Sequence, residues 1–238
     1  MNDGETPAAA LQWPRALLFD LDGTLVDSAP DIAVAINKVL AQQGLAALPV
    51  PRVRSMIGNG VRKLVERAFL ESGQALDGTA LDAMTDQMMC VYARHLTVLT
   101  GEMPGALRTV EALANRGVKI AVVTNKPEAF SREILDALGF SAHVACVVGG
   151  DTGPERKPAP DMLLHACRMM GVAVSDAVMV GDSPADIGAA LGAEMASVAV
   201  RGGYTNVPVE DLGAGLVIGH LDALEEALGR LEPGARSV

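Results

Sequence analysis

The sequence predicts an α/β fold, in which a doubly wound, Rossmann-like parallel sheet carries an all-helical domain inserted after its first strand. Three observations indicate it: short apolar runs that end in polar residues, amphipathic helical patterns between them, and one long interval with helical periodicity and no strand pattern. Half of the 238 residues are hydrophobic, so a sizeable core is available.

Each predicted strand is a short aliphatic run that is apolar on both faces, as buried parallel strands are. The five runs are 16–20, 118–125, 144–150, 177–182 and 196–200. Apolar positions at helical spacing lie between them, in 107–113, 130–138 and 162–170. Strand alternating with helix predicts helices on both faces of a parallel sheet.

The interval from about residue 30 to 99 breaks this alternation. Apolar stripes predict three helices, and Pro- and Gly-containing segments predict two loops. The stripes lie in 32–40, 61–69 and 81–92, and the loops in 45–52 and 70–79.

We therefore predict a helical cap domain at 29–99, inserted into a core domain made of 14–28 and 100–230. The ends, 1–13 and 231–238, are predicted to be flexible.

Charge and composition exclude several classes of function. A formal charge of -10 opposes binding to nucleic acid or to an anionic membrane. No apolar run approaches the roughly 20 residues that cross a bilayer. Three cysteines without CxxC spacing suggest neither a disulfide framework nor a zinc site. We expect a cytoplasmic protein, monomeric or homodimeric, in which any anionic ligand is attracted locally.

Polar residues follow the predicted strands where each strand ends. Ligands of open α/β sheets bind beyond these carboxyl ends, so residues far apart in sequence are expected to meet there. The set is Asp20, Asp22, Thr124, Asn125, Lys126, Asp182 and Asp186, with Lys157 in a proline-stiffened loop.

The gathered carboxylates predict a divalent cation, because acidic groups brought together in a buried site repel one another. Their ligand atoms are all oxygens, which suits Mg²⁺, and Mg²⁺ also accepts a substrate phosphate. Lys157 and the Thr124 hydroxyl would help to neutralise a phosphoryl group.

The pair Asp20 and Asp22 suits phosphate ester hydrolysis. The chain turns at Gly23, so the two carboxylates can take different roles around one phosphorus: one attacks and the other transfers a proton. Backbone N–H groups of the turn, at Gly23 and Thr24, would donate to the phosphate oxygens.

Four segments in this order resemble the motifs of the haloacid dehalogenase-like phosphohydrolases: FDLDGTLVDS, VVTNKP, RKPAPD and GDSPADI. The resemblance covers nearly the whole chain, and the helical insertion is similar to the cap of many members. It implies Asp20 as nucleophile and Asp22 as general acid/base, with Thr124 and Lys157 holding the phosphoryl group. It also implies a Mg²⁺ site formed by Asp20, the main-chain carbonyl of Asp22 and Asp182, supported by Asp186.

Within that superfamily, the cap segment IGNGVRKLVERAF, the segment GGDTGPERKPAPD and the late RGGYT are similar to the phosphoglycolate phosphatase family. That resemblance implies a small phosphorylated acid, 2-phosphoglycolate, as substrate. Asn59, Asn125 and Lys126 are then expected to contact the substrate. A phosphosugar or pyrophosphate phosphatase, a phosphosugar mutase and a non-catalytic phosphate-binding protein stay open as alternatives.

Several residues have two interpretations. Asp186 suits a metal site, but an acid in the first turn of a helix is also favoured by the helix dipole. Residues 58–60 can be a helix-entry turn or a loop that closes over the substrate. Arg62 and Lys63 can attract a carboxylate or occupy a solvated helix face. Glu194 stands where relatives commonly have a helix-ending glycine, which leaves that helix end in doubt.

Overall fold

The computed structural model describes residues 13–231. Six of its strands form one parallel sheet in the order β5-β4-β1-β6-β7-β8, and two short strands form an antiparallel pair, β2-β3. The strands are β1 (Ala16–Phe19), β2 (Val26–Asp27), β3 (Gly101–Glu102), β4 (Lys119–Val123), β5 (Val144–Val148), β6 (Ala177–Gly181), β7 (Ala196–Val200) and β8 (Leu216–Ile218).

The helices form two groups, a cap made of the first four and a layer on each face of the sheet made of the rest. They are α1 (Ala29–Gln42), α2 (Val50–Arg54), α3 (Val61–Glu71), α4 (Gly78–Tyr92), α5 (Ala106–Asn115), α6 (Glu128–Ala137), α7 (Asp161–Met170), α8 (Pro184–Gly192) and α9 (Leu224–Leu228).

Strand β1 lies at the centre of the sheet and is buried on both faces. Leu17 and Phe19 pack with α5, α6 and α9 on one face, whereas Ala16 and Leu18 pack with α7 and α8 on the other. This two-sided burial explains why the strand is uniformly apolar rather than alternating. The predicted fold class is confirmed.

The five predicted strands are all present, each within a few residues of its predicted bounds. The sequence interpretation missed β8 and the β2-β3 pair. These elements have two or three residues each, which is too short to display a period, and β8 is stabilised by pairing with β7 rather than by its own pattern.

In the cap, the predicted helices correspond to α1, α3 and α4, but the predicted loop at 45–52 was wrong at its end. Helix α2 begins at Val50 inside that loop. Pro51 lies in its first turn, where a proline loses no hydrogen bond, so a residue read as a loop signal is compatible with a helix start.

The cap begins and ends beside the β2-β3 pair, which aligns Val26 with Glu102 and Asp27 with Gly101. Its apolar residues join those of the core domain in one continuous buried cluster. The domain boundaries at 28/29 and 99/100 stay a prediction.

The predicted flexible ends fall outside the described residues except for Trp13 and Leu231. Trp13 Nε1 donates to Ser175 O at 3.0 Å, and Leu231 is buried. No helix within residues 13–231 has the length and apolar character needed to span a membrane.

Glu194 follows α8 and adopts a left-handed backbone conformation, with φ 54°. Helix α8 ends at Gly192, and the chain leaves it through a left-handed residue at position 194. Glycine favours that conformation, but the residue there is glutamate.

Candidate active site

The register of the sheet brings the ends of three strands together. Phe19 of β1 is aligned with Val122 of β4 and with Val180 of β6. The residues that follow, Asp20, Thr124 and Asp182, therefore lie side by side at the carboxyl edge. All three are buried.

Lys157 connects two of the acidic residues. Its ammonium donates to Asp20 Oδ1 at 2.8 Å, to Asp186 Oδ1 at 2.6 Å and to the carbonyl of Val123 at 2.6 Å. Burial alone would lower the pKa of Lys157, but the charges of Asp186 and Asp20 outweigh it and raise that pKa. Lys157 is thus a fixed cation whose position is determined by three acceptors.

Asp186 caps a helix, which is one of the two roles that the sequence left open for it, and it also accepts from Lys157. Its place in a metal site stays a prediction. Its Oδ2 accepts from the backbone N–H and hydroxyl of Ser183 in a capping box at the start of α8. Both of its oxygens thus have donors within the protein, which is consistent with a supporting place beside a metal.

Asp182 is held by one hydroxyl and one backbone amide. Thr24 Oγ1 donates to its Oδ1 at 2.9 Å, and the N–H of Tyr204 donates to its Oδ2 at 2.6 Å. The loop before Tyr204 passes so close that a Cβ on Gly203 would lie 2.2 Å from Asp182 Oδ2. Only a glycine fits at 203 without displacing this carboxylate.

One carboxylate oxygen from each of Asp20, Asp182 and Asp186 lies within 4.8 Å of the others. Burial, with the charge of Asp186, raises the pKa of Asp20 to about 6 although Lys157 opposes the shift. Burial, Asp186 and Asp20 raise the pKa of Asp182 to about 8.

The protein alone thus leaves negative charge at this cluster poorly compensated. An all-oxygen set of buried carboxylates with raised pKa values fits a hard divalent cation such as Mg²⁺.

Asp22 is held on the other side of Asp20. Ser28 Oγ donates to its Oδ1 at 2.5 Å, and Lys126 Nζ lies 3.0 Å from both of its oxygens. The two aspartates therefore contact different lysines, Lys157 and Lys126, which gives them different surroundings although they are two residues apart.

A cavity lies between the core and the cap above these residues. Its core side is polar and its cap side is mainly apolar, with two glycines of the 58–60 loop at its edge. The core lining is Asp20, Asp22, Thr124, Asn125 and Lys126, and the cap lining is Ile32, Ile57, Gly58, Gly60, Val61, Leu64, Met88 and Tyr92.

Asn125 joins the two sides of the cavity. Its Nδ2 donates to the carbonyl of Gly58 in the cap loop at 2.9 Å and to the carbonyl of Lys157 at 3.0 Å. Its Oδ1 is buried and accepts no hydrogen bond within the described residues. Asn125 thus fixes the position of the cap loop relative to the loop that carries Lys157.

Three predicted substrate contacts have other partners. The Asn59 side chain is exposed and accepts from Arg67, so in this structure it lies outside the cavity lining. The Thr24 hydroxyl is directed at Asp182, and the N–H of Gly23 donates to Val26 O. Their contacts with a phosphoryl group stay predictions.

Arg62 and Lys63 follow the surface interpretation. Arg62 pairs with Asp82 and Lys63 with Glu66, and the side chains of both basic residues are about half exposed. Neither lines the cavity.

Sequence reasoning missed Tyr204, Ser28 and Tyr92. The segment RGGYT was noted only for its resemblance, and nothing in the local pattern indicates that the N–H of Tyr204 supports Asp182. Ser28 is the last residue of the first motif and was given no role, and Tyr92 ends a helix whose apolar stripe predicts core packing alone. Their roles depend on contacts between residues distant in sequence.

The comparisons with known proteins agree with this geometry. Residues 14–194 match the family of haloacid dehalogenase-like hydrolases. A protein from Rhodospirillum rubrum named phosphoglycolate phosphatase is 41% identical over 225 residues, which cover 93% of each chain. One of the same name from Caulobacter vibrioides is 41% identical over 202 residues, 85% of each chain.

A crystal structure from Haemophilus somnus 129PT, described as "a predicted phosphoglycolate phosphatase", superimposes with a TM-score of 0.84 at 32% identity. It covers 90% of this chain, and this chain covers 97% of it. These relationships confirm the predicted resemblance and the prediction of a phosphomonoester hydrolase. The chain belongs to the haloacid dehalogenase-like hydrolases.

Proposed function

We propose that this protein is a Mg²⁺-dependent phosphatase that hydrolyses 2-phosphoglycolate to glycolate and phosphate through an aspartyl-phosphate on Asp20. The observation that carries the proposal is the convergence of Asp20, Thr124 and Lys157 at the sheet edge, beneath a cavity between core and cap that Asp22 also lines. The relatives named phosphoglycolate phosphatase support the substrate.

In this proposal Asp20 attacks the phosphorus. Lys157 fixes one of its oxygens at 2.8 Å, which leaves the other to act as nucleophile. The P–O bond to glycolate breaks as the Asp20–phosphorus bond forms, and water then cleaves the aspartyl-phosphate. The hydroxyl of Thr124, buried at the edge of the cavity, donates to the phosphoryl oxygens.

Asp22 transfers the proton. In its acid form it protonates the leaving oxygen of glycolate, and as a carboxylate it then deprotonates the attacking water. Ser28 and Lys126 hold it beside the cavity, where both transfers can use the same position.

Asp20, Asp182 and the main-chain carbonyl of Asp22 would hold Mg²⁺, with Asp186 in support. When bound, Mg²⁺ neutralises charge on the phosphoryl oxygens and on the carboxylates.

The apolar cap side of the cavity favours a short organic acid over a phosphosugar. The side chains of Ile32, Leu64 and Met88 offer no hydrogen bonds to sugar hydroxyls. Pyrophosphate would also place a second highly charged group against this surface.

A substrate panel tests the proposal. Specificity constants are measured with Mg²⁺ for 2-phosphoglycolate, 3-phosphoglycerate, glucose 6-phosphate, pyrophosphate and AMP. We expect 2-phosphoglycolate to be preferred by about tenfold or more, a discrimination within reach of one pocket. Activity should cease on chelation and return with Mg²⁺. A higher specificity constant for a sugar phosphate or pyrophosphate would overturn the substrate, and full activity in chelator would overturn the metal.

A further inference from the structure

We propose that the ammonium of Lys126 and the hydroxyl of Tyr92 together bind the carboxylate of the substrate, so that the cavity selects phosphomonoesters of short hydroxy acids. This inference rests on the proposed function and adds the residues that determine its specificity. Lys126 comes from the core and Tyr92 from the last turn of α4 in the cap.

Lys126 is the one cationic side chain among the described residues that line the cavity. The two other basic residues that the sequence offered for a carboxylate, Arg62 and Lys63, are paired at the surface. Lys157 is bound to Asp20 and Asp186. A carboxylate inside the cavity therefore finds its counter-charge at Lys126.

The position of Lys126 is fixed from two sides. Its Nζ lies 3.0 Å from both oxygens of Asp22 and 4.7 Å from the centroid of the Tyr92 ring. An ammonium has three N–H donors, so two can serve Asp22 and the third can be shared between the neighbouring Tyr92 and a ligand.

Tyr92 has a hydroxyl without a hydrogen-bond partner among the described residues, although its side chain is only 1% exposed. Lys126 lies over the ring and close enough to the hydroxyl to lower the pKa of Tyr92, although no well-aligned hydrogen bond joins the two groups. Burying an unsatisfied hydroxyl is unfavourable, and phenylalanine would fill the same space without that cost. The hydroxyl is thus explained by a ligand that it binds.

The hydroxyl can act as a donor to an anion. Burial raises the pKa of Tyr92 to about 12, so it keeps its proton at physiological pH. The ring is oriented by an edge contact with Phe130, with centroids 5.7 Å apart. One neutral and one charged donor, facing the same cavity, match the two oxygens of a carboxylate.

The phosphoryl and carboxylate sites are close together. Thr124, which is proposed to bind the phosphoryl group, is two residues from Lys126, and its Oγ1 accepts from the N–H of Lys126 at 3.3 Å. The apolar cap residues close the space above them. This proximity suits a short acid, and a longer polar chain meets the apolar cap side of the cavity.

A matched pair of substrates tests this inference. Ethyl phosphate has a methyl group where 2-phosphoglycolate has a carboxylate, and the two are otherwise alike. In Tyr92→Phe, we expect kcat/KM for 2-phosphoglycolate to fall about tenfold or more, mainly through KM, because a hydrogen bond to a charged group is lost. The value for ethyl phosphate should stay within about twofold. An equal loss on both substrates, or no loss on either, would overturn the inference.

Lys126→Met removes the charge and keeps much of the volume. The ratio of kcat/KM for 2-phosphoglycolate to kcat/KM for ethyl phosphate should fall about 100-fold. An effect of the substitution on Asp22 would change both constants equally and would leave this ratio unaffected. The control is Tyr204→Phe, since the Tyr204 hydroxyl binds Asp27 and the N–H of Ala29 outside the cavity. It should leave the ratio unchanged.

A binding measurement supplements turnover. Glycolate should inhibit the hydrolysis of ethyl phosphate, and Tyr92→Phe should raise its inhibition constant about tenfold with a melting temperature that does not fall. If wild-type enzyme prefers ethyl phosphate, the proposed substrate fails. If it prefers 2-phosphoglycolate and Tyr92→Phe keeps that preference, the substrate stands and the role of Tyr92 fails.

Discussion

At the scale of single residues, the two aspartates of the first motif differ in their partners rather than in their type. Asp20 contacts Lys157, whereas Asp22 contacts Lys126 and Ser28. The spacing DxD indicates that two carboxylates meet one site. The different neighbours give the two carboxylates different surroundings, as the proposed division into nucleophile and proton donor requires.

Asp20→Asn should lower kcat at least about 1,000-fold, because the nucleophilic oxygen is removed at nearly constant volume. Lys157 keeps Asp186 and Val123 O as acceptors, so the melting temperature should not fall. The comparison variant is Asp31→Asn, which changes a buried carboxylate of cap helix α1 that accepts from the N–H and hydroxyl of Thr100. It should keep its activity. Substantial turnover by Asp20→Asn would contradict the assignment.

Gly203→Ala tests how Asp182 is positioned. A Cβ at 203 would lie 2.2 Å from Asp182 Oδ2, so the carboxylate must move. We expect the Mg²⁺ concentration for half-maximal activity to rise about tenfold or more.

Gly202→Ala is the matched control for that experiment. Its φ of 84° strains an alanine, but nothing lies within 4 Å of the added carbon. This variant should lose stability and keep its Mg²⁺ dependence. Equal Mg²⁺ dependence of the two variants would show that strain in the loop, not the clash, is responsible.

At the scale of elements, the loop after β7 connects the cap to the acidic carboxyl edge of the sheet. The Tyr204 N–H donates to Asp182, while its hydroxyl donates to Asp27 and accepts from the first N–H of α1. Arg54 of α2 pairs with Asp27 at 2.8 Å and lies over the Tyr204 ring. The helix missed by the sequence interpretation therefore supplies a contact that positions the cap.

The end of α8 provides a prediction about stability alone. A non-glycine residue in the left-handed region destabilises the folded state by roughly 1–2 kcal/mol. Replacing it with glycine removes this strain, but the greater freedom of glycine in the unfolded chain offsets part of the gain. Glu194→Gly should therefore raise the free energy of unfolding by up to about 1 kcal/mol, measured in urea, with activity unchanged. Ala193→Gly, one position earlier at φ -86°, should lower it. A change of the same sign in the free energy of unfolding of both variants would refute backbone strain at residue 194.

At the scale of the whole molecule, the net charge and the charge at the carboxyl edge of the sheet have the same negative sign. The chain carries -10, and its buried edge concentrates carboxylates whose charge the fold does not fully compensate. A divalent cation there would stabilise the folded protein as well as its reaction, because it binds the folded arrangement and not the unfolded chain.

This coupling predicts a pH dependence of stability. Folding raises the pKa of Asp20 from 3.8 to about 6 and that of Asp182 from 3.8 to about 8. A carboxyl group whose pKa is raised by folding stabilises the folded protein while it is protonated. This stabilisation is complete below about pH 4 and is lost as the pH rises towards the pKa of the folded state. In chelator, the free energy of unfolding should fall by about 3 kcal/mol or more from pH 5.5 to 8.5.

Urea titrations with chelator and with Mg²⁺ measure the free energy of unfolding at each pH. Mg²⁺ should stabilise more at pH 8.5 than at pH 5.5, and Asp182→Asn should flatten the decline seen in chelator. A metal-free protein that gains stability over this range would refute the prediction.

The sequence by itself determined the fold class, the inserted helices and the order of the motifs, because these depend on local periodicity and on polar residues placed at strand ends. The tertiary structure alone decided the partners of Asp22 and Asp182, the exclusion of the Asn59 side chain from the cavity lining, and the meeting of Tyr92 with Lys126. Those contacts join residues up to 158 positions apart, as Thr24 and Asp182 are, and no local pattern encodes which distant side chain closes a given hydrogen bond.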